Sequence, residues 1–488
     1  MKLTIYVLAA SFFTSHSFAA DPVDIGDRRE LFVDSALIES MNGVDLVMHR
    51  PHDEGQVLAF DKPWEGGFSG YATVIKDGDL FRLYYRSLPK SGADGSSNES
   101  TSYAESKDGI SWTKPKLGLF ERDGSKDTNI VMADAAPSTH NFSPMLDPKP
   151  GVPADQRFKA LGGTMKSGLI GWVSPDGKSW EKIQVAPVIP NDLVKYPYFF
   201  DSQNIAFYSE AEGKYLCFFR VFEDKIRRIA RTESDDFINW SEPVLMEYKH
   251  RGGVSPIDHL YTNQTHPYFR APHLYVAIAA RFMPGRKVLN DEQAKAIGVN
   301  PKYFNDTSDA VLMTTRPGLD HYERTFLSSY IRPGIGAQNW VSRTNYPALN
   351  VVQTGPAEMS VYVNQDYAQP TAHIRRYSMR LDGFASAQAK FTGGELITKP
   401  IKFSGNALAL NFATSAPGGI RVEIQDAETG KPFPGFSLED ANEQIGNEIE
   451  RVVTWKGGTD ISALAGKSVK LRFVIKDADL FAYHFTNQ

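Results

Sequence analysis

Two stretches, Ser106-Lys107-Asp108-Gly109-Ile110-Ser111-Trp112 and Ser174-Pro175-Asp176-Gly177-Lys178-Ser179-Trp180, repeat one short pattern between predicted strands. Ser234–Trp240 is a looser copy, and Arg316–Asp320 and Leu381–Phe384 are worn copies. A repeat of roughly sixty to eighty residues that holds several short strands is typical of radially arranged sheets. In each copy Asp caps a tight turn, Gly accepts a positive φ and Trp packs between sheets, so the pattern predicts a structural element and not a catalytic one.

Five groups of four predicted strands follow one another along the chain. The first group begins at Tyr71 and ends after Trp112, and the fifth begins at Ala348 and ends with a strand at Ala387–Phe391. Val44–His49 is predicted to add an outer strand that closes the ring, since closure removes exposed strand edges. The predicted fold is an all-β, five-bladed β-propeller followed by a C-terminal β-sandwich. The alternative, a pair of stacked β-sandwiches, fits the even recurrence of the turn pattern less well.

The two ends of the chain differ from the repeats. Residues 1–19 read as a signal peptide, because Lys2 precedes the apolar run Leu3–Phe13 and Ser17–Ala19 is a small-x-small cleavage site. From about Gly393 the turn pattern stops, and alternating strands with Gly-rich turns indicate the β-sandwich. The predicted organisation is therefore a signal peptide over 1–19, a propeller over 20–392 and a sandwich over 393–488.

Composition restricts the partners of the protein. The net charge is −5 and no basic run occurs, so nucleic acid and anionic membranes are not expected partners. Cys217 is the only cysteine, which excludes an intramolecular disulfide and a cysteine metal site. No later segment approaches about 18 unbroken apolar residues, so the mature protein is expected to be soluble and exported, in the periplasm or outside the cell. The aromatic content of 12% suits a β-rich core and a sugar-binding cleft.

In a propeller blade, the start of the first strand and the end of the second lie on the same face, so residues at these places meet around the axis. Asn recurs there in four blades, at Asn141, Asn204, Asn263 and Asn345, either as a cap of the strand start or as a ligand contact. Three arginines close second strands, and such a cluster needs carboxylates beside it or an anionic ligand in front of it. The predicted substrate-binding residues are Arg86, His140, Asn141, Gln203, Asn204, Arg220, His259, Asn263, Arg281 and Arg343.

Glycoside hydrolysis generally needs two carboxyl groups, one protonated and one ionised. Asp201, between aromatic Tyr198–Phe200 and polar Ser202–Asn204, is the first candidate. Glu65, in a Gly-flanked loop, is the second, and Asp258 is the third. A neighbouring carboxylate would raise the pKa of the acid, and a neighbouring arginine would keep the other group ionised.

Four histidines near these positions, His140, His259, His266 and His273, do not fall in a helical His-x-x-x-His pattern. No cofactor and no metal ligand set is predicted, and a structural cation such as calcium in the funnel stays an open alternative. Two insertions, Leu88–Glu99 and Pro284–Asp309, follow second strands and are predicted to form rims over the funnel.

Several segments resemble those of uncharacterised exported glycosyl-hydrolase-like proteins of planctomycetes. The shared segments are Arg29–Asp34, His49-Arg50-Pro51, Pro63-Trp64-Glu65-Gly66, Phe200–Asn204 and Glu448–Gly458. With five blades, a β-sandwich and an export signal, the chain also looks like the superfamily of five-bladed propeller glycoside hydrolases, which includes invertases, levanases, arabinanases and β-xylosidases. The resemblance implies a carbohydrate substrate and acidic residues from the first three blades, with Glu65 or Asp61 in the first role and Asp201 in the third.

The second blade departs from that pattern, since Ser138-Thr139-His140-Asn141 stands where the invertase group has Arg-Asp-Pro. The predicted function is an exported glycoside hydrolase of a polysaccharide or its oligosaccharides, with an anionic, uronic or sulfated, sugar as a refinement. The alternatives are a non-catalytic carbohydrate-binding propeller, and a lyase or a sialidase-like enzyme. The last would need an arginine triad and a tyrosine nucleophile backed by Glu, for which Tyr85 and Tyr261 are available.

Overall fold

The computed structural model describes residues 21–92 and 95–487, and the predicted signal peptide, residues 1–19, lies outside them. The described residues form six sheets. Inner strands of five of these sheets contact one another in a closed cycle around one axis, and between the fourth and fifth sheets the contact is made by the long strand Ala271–Met283. The ring closes where Leu349 of the fifth sheet hydrogen-bonds Ala72 and Val74 of the first. The predicted fold class, all-β with a propeller and a sandwich, is confirmed.

The five radial sheets are called blades 1 to 5 in chain order. Blade 1 comprises Gly70–Asp77, Leu80–Ser87, Ser100–Ser106 and Ile130–Met132. Blade 2 comprises Ser143–Leu146, Phe158–Thr164, Gly168–Ser174 and Glu181–Lys182. Blade 3 comprises Ile205–Ser209, Lys214–Glu223, Ile226–Ser234 and Val244–Leu245.

Blade 4 has seven strands, Glu247–His250, Gly253–Val254, His259–Thr262, Thr265–Tyr268, Ala271–Met283, Thr307–Thr315 and His321–Glu323. Blade 5 has five, Tyr346–Pro347, Val352–Gln353, Glu358–Gln365, His373–Arg380 and, from the N-terminal part of the chain, His52–Ala59. Short 3-10 helices lie at Ala154–Gln156, Asn191–Leu193, Ala337–Asn339 and Ser462–Leu464.

The repeated turn has the predicted structural role. In the first copy, Asp108 Oδ1 accepts hydrogen bonds from the backbone N–H groups of Ile110 and Ser111, at 2.8 and 2.7 Å. Gly109 has φ +72°, and a Cβ there would meet Tyr362 Oη of blade 5 at 2.9 Å. Trp112 packs edge-on against the same Tyr362 ring. The turn therefore joins blade 1 to blade 5 away from the funnel.

The ring is closed by a different segment from the one predicted. His52–Ala59 pairs antiparallel with His373–Arg380 and forms the outer strand of blade 5. The predicted closing strand, seen as Val44–Met48, instead pairs with Ala385–Ala389. The predicted fourth strand of blade 5 at 387–391 therefore belongs to the sandwich, since its other edge pairs with Val469–Thr486.

The sixth sheet has ten strands and draws on both ends of the chain. Its core buries apolar side chains from each end, including Ile25, Phe32, Leu410 and Phe473. The predicted boundaries, 20–392 and 393–488, are corrected accordingly, because residues 23–48 and 385–389 pair within this sheet. Its strands are Val23–Gly26, Glu30–Leu31, Ile38–Asn42, Val44–Met48, Ala385–Ala389, Gly394–Thr398, Ile401–Phe403, Ala407–Asp426, Asn447–Val452 and Val469–Thr486.

The insertion after the long strand of blade 4 carries the short helix Asp291–Ala296, which begins with a capping box at Asn290 and Gln293. Its apolar side chains pack on Phe68, Leu88 and Tyr367 from blades 1 and 5. The insertion thus lies over the ends of neighbouring blades, on the funnel face. No helix in the described part of the chain is long and apolar enough to cross a bilayer.

Candidate active site

Arg220 links the one predicted catalytic carboxylate that lies at the funnel to a buried tyrosine. It is on the second strand of blade 3, and its side chain is only 2% exposed. Its Nη2 donates to Asp201 Oδ2 at 2.5 Å, and its guanidinium carbon lies 4.3 Å from the centre of the Tyr261 ring. Its Nε and Nη1 have no hydrogen-bond partner in the described residues. A buried guanidinium with free donors is suited to an anionic group brought by a ligand.

Two further arginines surround the same tyrosine. The guanidinium carbons of Arg227 and Arg343 lie 5.1 and 5.5 Å from the Tyr261 ring centre. Arg343 Nε also donates to Tyr261 Oη at 3.1 Å. Burial alone would raise the pKa of the Tyr261 phenol, but the charges of Arg220 and Arg343 and the hydrogen bond from Arg343 bring it below its usual value. Tyr261 is therefore a stronger acid than an ordinary tyrosine. We call Arg220, Arg227, Arg343 and Tyr261 the arginine–tyrosine cluster.

Tyrosines from three blades support this cluster. The Tyr261 ring lies 5.3 Å from that of Tyr346, which in turn lies 6.2 Å from that of Tyr71. The guanidinium carbon of Arg86 lies 4.4 Å from the Tyr71 ring, so blade 1 contributes a further cation. Because Tyr71, Tyr261 and Tyr346 start from blades 1, 4 and 5, the cluster lies near the axis, where the sequence predicted the ligand site.

The backbone that presents Asp201 is in an unusual conformation. Tyr198 and Phe200 have φ of +53° and +63°, and Arg343 has φ of +58°. Side chains other than Gly rarely adopt this region, and such residues concentrate at functional sites. The strained segment leaves Tyr198 64% exposed while Phe200 is fully buried. An exposed aromatic face therefore stands three residues from the Asp201 carboxylate.

Asp201 itself faces solvent, with 55% of its side chain exposed. Among the described residues, its side chain forms a hydrogen-bonded ion pair with Arg220. Its Oδ2 accepts from the buried guanidinium, and the rest of the carboxylate is open to a water molecule. A carboxylate placed in this way can act as the base that activates water.

The structure does not bring Glu65 to Asp201. Glu65 is 1% exposed and lies inside blade 1, where Lys114 Nζ donates to it at 2.6 Å and Tyr85 Oη donates to it at 2.6 Å. Asp61, its predicted alternative, binds the same Lys114 at 2.8 Å. The predicted catalytic role of Glu65 is therefore corrected to a buried ion pair that a substrate does not reach. Tyr85 and Glu65 do form a tyrosine–glutamate pair, but away from the arginines.

Asp258 and Arg281 have charged partners other than Asp201. Asp258 Oδ2 lies 2.9 Å from Arg324 and 3.6 Å from Arg281. Arg281 is held by two hydrogen bonds to Asp309, at 2.9 and 2.6 Å. The predicted convergence of Arg86, Arg220 and Arg281 on one ligand is thus corrected, because carboxylates of blade 4 already pair with Arg281.

Three of the four recurrent asparagines act as backbone caps. Asn263 Nδ2 donates to Phe218 O and its Oδ1 accepts from Thr265 N. Asn345 Nδ2 donates to Ser308 O at 3.0 Å, and Asn204 Nδ2 donates to Phe200 O at 3.5 Å. Since all three are fully buried, the capping alternative accounts for them and the ligand-contact alternative does not.

Two other predicted residues belong to buried networks. His140 Nδ1 lies 3.0 Å from Glu99 Oε2, and Asn141 Nδ2 lies 3.0 Å from His140 Nε2. Asn141 Oδ1 accepts from Arg86 Nη1 at 3.4 Å. Burial would raise the pKa of Glu99, but the charges of His140 and Arg86 bring it below its usual value. This network holds the end of the Leu88–Glu99 insertion to Arg86, beneath the site.

Gln203 closes the axis below the cluster. Its Nε2 donates to Thr73 Oγ1 at 2.7 Å, and its Oε1 accepts from Gln264 Nε2 at 2.9 Å. Gln264 also donates to Pro347 O at 2.6 Å. These side chains bridge blades 1, 3, 4 and 5 across the axis, so Gln203 has a structural role there.

His259 lies at the edge of the cluster, with Nδ1 3.4 Å from Arg227 Nη1. Burial and the charge of Arg227 lower its pKa, so a neutral imidazole faces the arginine. Arg227 itself was not among the predicted residues. It stands at the start of a third strand, whereas the residues predicted for the site lie at first-strand starts and second-strand ends. Its pairing with Phe222, at the end of the second strand, is the signal that places it at the funnel.

The candidate metal ligands do not assemble. His266 Nδ1 lies 2.8 Å from Gln264 O, and its Nε2 accepts from Val351 N, so both ring nitrogens are used by the backbone. Within residues 21–92 and 95–487, no three His, Cys, Asp or Glu side chains are gathered as ligands for a metal ion.

No protein-family model matches the sequence, and no curated protein matches it either. Solved structures with partial similarity include one described as a glycoside hydrolase, at 13% identity and a TM-score of 0.44, covering 68% of this chain and 92% of that chain. An N-acetylgalactosamine deacetylase from F. plautii, in complex with blood group B trisaccharide, has 12% identity and a TM-score of 0.42, covering 70% and 96%. The catalytic domain of a Coprinopsis cinerea GH62 α-L-arabinofuranosidase has 9% identity and a TM-score of 0.41, covering 68% and 97%. TM-scores of 0.41 to 0.44 assign no reaction to this protein.

Proposed function

We propose that this protein is an exported carbohydrate-active enzyme that hydrolyses a glycan at or next to an anionic sugar. The observation that carries the proposal is the arginine–tyrosine cluster, in which three guanidinium groups surround Tyr261 and only Arg220 forms an ion pair with a described carboxylate, that of Asp201. A uronate carboxylate or a sulfate ester on the sugar would supply the missing negative charge. The signal sequence at 1–19 supports export.

The chemistry that the residues favour is general acid–base catalysis by Asp201 and Tyr261. Asp201, which accepts a hydrogen bond from Arg220, takes a proton from a water molecule, whose oxygen forms the new bond to the anomeric carbon. The bond from that carbon to the glycosidic oxygen breaks, and this oxygen receives the phenolic proton of Tyr261. The resulting phenolate is stabilised by Arg220 and Arg343, which lower the pKa of Tyr261.

The exposed ring of Tyr198 supports a sugar ligand in this position. It is 64% exposed and stands against Phe222, with ring centres 5.4 Å apart. An aromatic side chain held by a neighbour keeps its outer face open for the apolar face of a sugar ring. It also lies on the segment that presents Asp201, so one bound sugar can contact both.

A product screen tests the proposal. The purified mature protein and its Asp201→Asn variant are incubated with neutral, uronic and sulfated polysaccharides, and reducing ends and product masses are recorded. Asp235→Asn is the matched control, since Asp235 is an exposed turn carboxylate of the same blade. We expect the parent and the control to release products from an anionic glycan, and Asp201→Asn to bind it without release.

Each other result would change the proposal in a defined way. Products from neutral glycans alone would remove the anionic sugar from it, and an active Asp201→Asn variant would remove Asp201. An unsaturated product mass would show elimination by a lyase in place of hydrolysis. Binding by all three proteins without any product would indicate the carbohydrate-binding propeller.

A further inference from the structure

Beside the arginine–tyrosine cluster, a cavity lies on the funnel face, where the chain crosses from blade 4 to blade 5. Its volume is about 610 Å³. One wall is formed by the facing ends of the two long strands of blade 4, and the other by the segment 329–340. The lining includes Arg281, Arg286, Arg332 and Trp340. None of these residues belongs to the arginine–tyrosine cluster.

The cavity carries uncompensated positive charge. Arg281 forms an ion pair with Asp309 through two hydrogen bonds, and Asp309 also lines the cavity, so the charge of Arg281 is compensated. Arg286 and Arg332 are exposed, and neither has an ion pair with a described residue. Two guanidinium groups are therefore available to an anionic ligand.

Trp340 adds an aromatic surface. Its Nε1 donates to Gly334 O at 3.2 Å, which fixes the orientation of the indole, and the side chain is half-buried. A flat, held aromatic face beside two arginines is the combination that an anionic sugar ring needs, since the ring has an apolar face as well as a charged group.

The cavity is close to the arginine–tyrosine cluster. Trp340 and Arg343 are three residues apart in the chain, so their Cα atoms are separated by at most about 11 Å. The cavity wall is also tied to that strand start, because Ser308 Oγ donates to Thr344 O at 2.6 Å and Asn345 Nδ2 donates to Ser308 O at 3.0 Å. One oligosaccharide can therefore occupy both places.

We propose that this cavity is a second subsite that binds another uronate or sulfated unit of the glycan that is cleaved at the arginine–tyrosine cluster. The inference rests on the proposed function and deepens it. It makes the substrate an anionic oligosaccharide or polysaccharide that carries charge on more than one unit, and it assigns Arg286, Arg332 and Trp340 to its recognition.

The test is the dependence of binding on ligand length. Oligogalacturonates and carrageenan oligosaccharides of two, four and six units are titrated calorimetrically into Asp201→Asn protein, so that the probe is not cleaved. The same background carries Arg286→Ala/Arg332→Ala or Trp340→Ala. Arg421→Ala/Lys456→Ala removes two exposed positive charges from the sandwich and is the matched control. Arg286→Lys/Arg332→Lys keeps the charge and tests its contribution alone.

We expect the arginine variant to bind the longer oligosaccharides at least about tenfold more weakly per lost arginine than the parent, which here is the Asp201→Asn protein. The affinity of the cavity variants for the two-unit ligand, and the affinity of the sandwich control for every ligand, should equal that of the parent. Equal affinity of the parent and the cavity variants for every length would overturn the subsite and leave the proposed function standing. If Asp201→Asn protein binds no anionic glycan and the wild-type protein releases no product from any, both proposals are overturned. Equal weakening by the sandwich control would also overturn the subsite, since general surface charge would then account for the effect.

Discussion

The guanidinium carbon of Arg220 lies 4.3 Å from the centre of the Tyr261 ring, and the same side chain donates to Asp201 at 2.5 Å. One buried cation thus contacts both groups that the proposed reaction uses. It binds the proposed base on one side and stabilises a phenolate on the other. A site of this kind needs one accessible carboxylate, where the glycosidase scheme expected from the sequence needs two.

Tyr261→Phe should reduce kcat by at least about a hundredfold, because it removes the proton donor and keeps the ring, and general acid–base groups contribute on this scale. Steady-state kinetics on the anionic substrate identified by the screen measure the loss. Tyr346→Phe is the matched control, since this neighbouring phenol is buried without a hydrogen-bond partner and its removal costs no bond. A Tyr261→Phe enzyme with parental kcat would exclude the phenol from catalysis.

The alkaline side of the pH profile should respond to Arg343. Since Arg343 helps to hold the pKa of Tyr261 below its usual value, Arg343→Ala should raise that pKa. A general acid loses activity as pH rises through its pKa, so the descending limb of kcat/KM should move to higher pH in the variant. The profile is recorded from pH 6 to pH 11 for both proteins. A limb that stays in place, or moves to lower pH, would contradict the acid role of Tyr261.

Much of the fold could be predicted from the sequence because its determinants are local. The Asp-Gly turns set hairpins and blade contacts within a few residues, and the structure keeps them. The ring-closing strand could not be placed in the same way. Val44–Met48 and His52–Ala59 are both plausible outer strands, and only their distant partners, at 385–389 and 373–380, decide between them.

Those site residues that lie at strand ends could be predicted from the sequence. Asp201, Arg220 and Arg343 follow from strand ends alone, and the structure brings the three to one place. Glu65 was misplaced because its burial depends on Lys114, which is 49 residues away and not visible from the local loop. Tyr261 was noted only as an available tyrosine, because its importance comes from three arginines on blades 3 and 5.

Glu65→Gln should lower the free energy of unfolding more than Asp201→Asn does. Removing Glu65 leaves the largely buried Lys114 ammonium with the exposed Asp61 as its remaining counter-charge, which should cost up to about 3 kcal/mol. Asp201 is 55% exposed, and the amide oxygen of the Asn variant can still accept the hydrogen bond from Arg220, so this change should lower the free energy of unfolding less than Glu65→Gln does. Urea unfolding of both variants, with activity measured per folded molecule, separates the two roles. Loss of activity in folded Glu65→Gln protein would return Glu65 to the site.

The N-terminal segment is held to blade 4 by a buried ion cluster with its own pH dependence. Glu30 is 2% exposed and lies 2.9 Å from Arg316 Nη1 and 3.1 Å from His273 Nε2. Burial would raise the pKa of Glu30, but Arg316 and His273 bring it from 4.5 to about 2. Because the pKa is lower in the folded state, the contribution to stability is complete above about pH 4.5 and is lost as pH falls towards 2.

Glu30→Gln should therefore destabilise the protein at pH 7 by up to about 3 kcal/mol, which is the free energy that corresponds to this pKa difference. The gap between the urea midpoints of parent and variant should narrow steadily between pH 5 and pH 3, since protonation of Glu30 in the parent removes the same ion pair. Glu428→Gln, an exposed carboxylate of the sandwich, controls for general charge effects and should show no gap at any pH. A gap that stays constant down to pH 3 would mean that the Glu30 side chain stabilises the fold by packing and not by its charge.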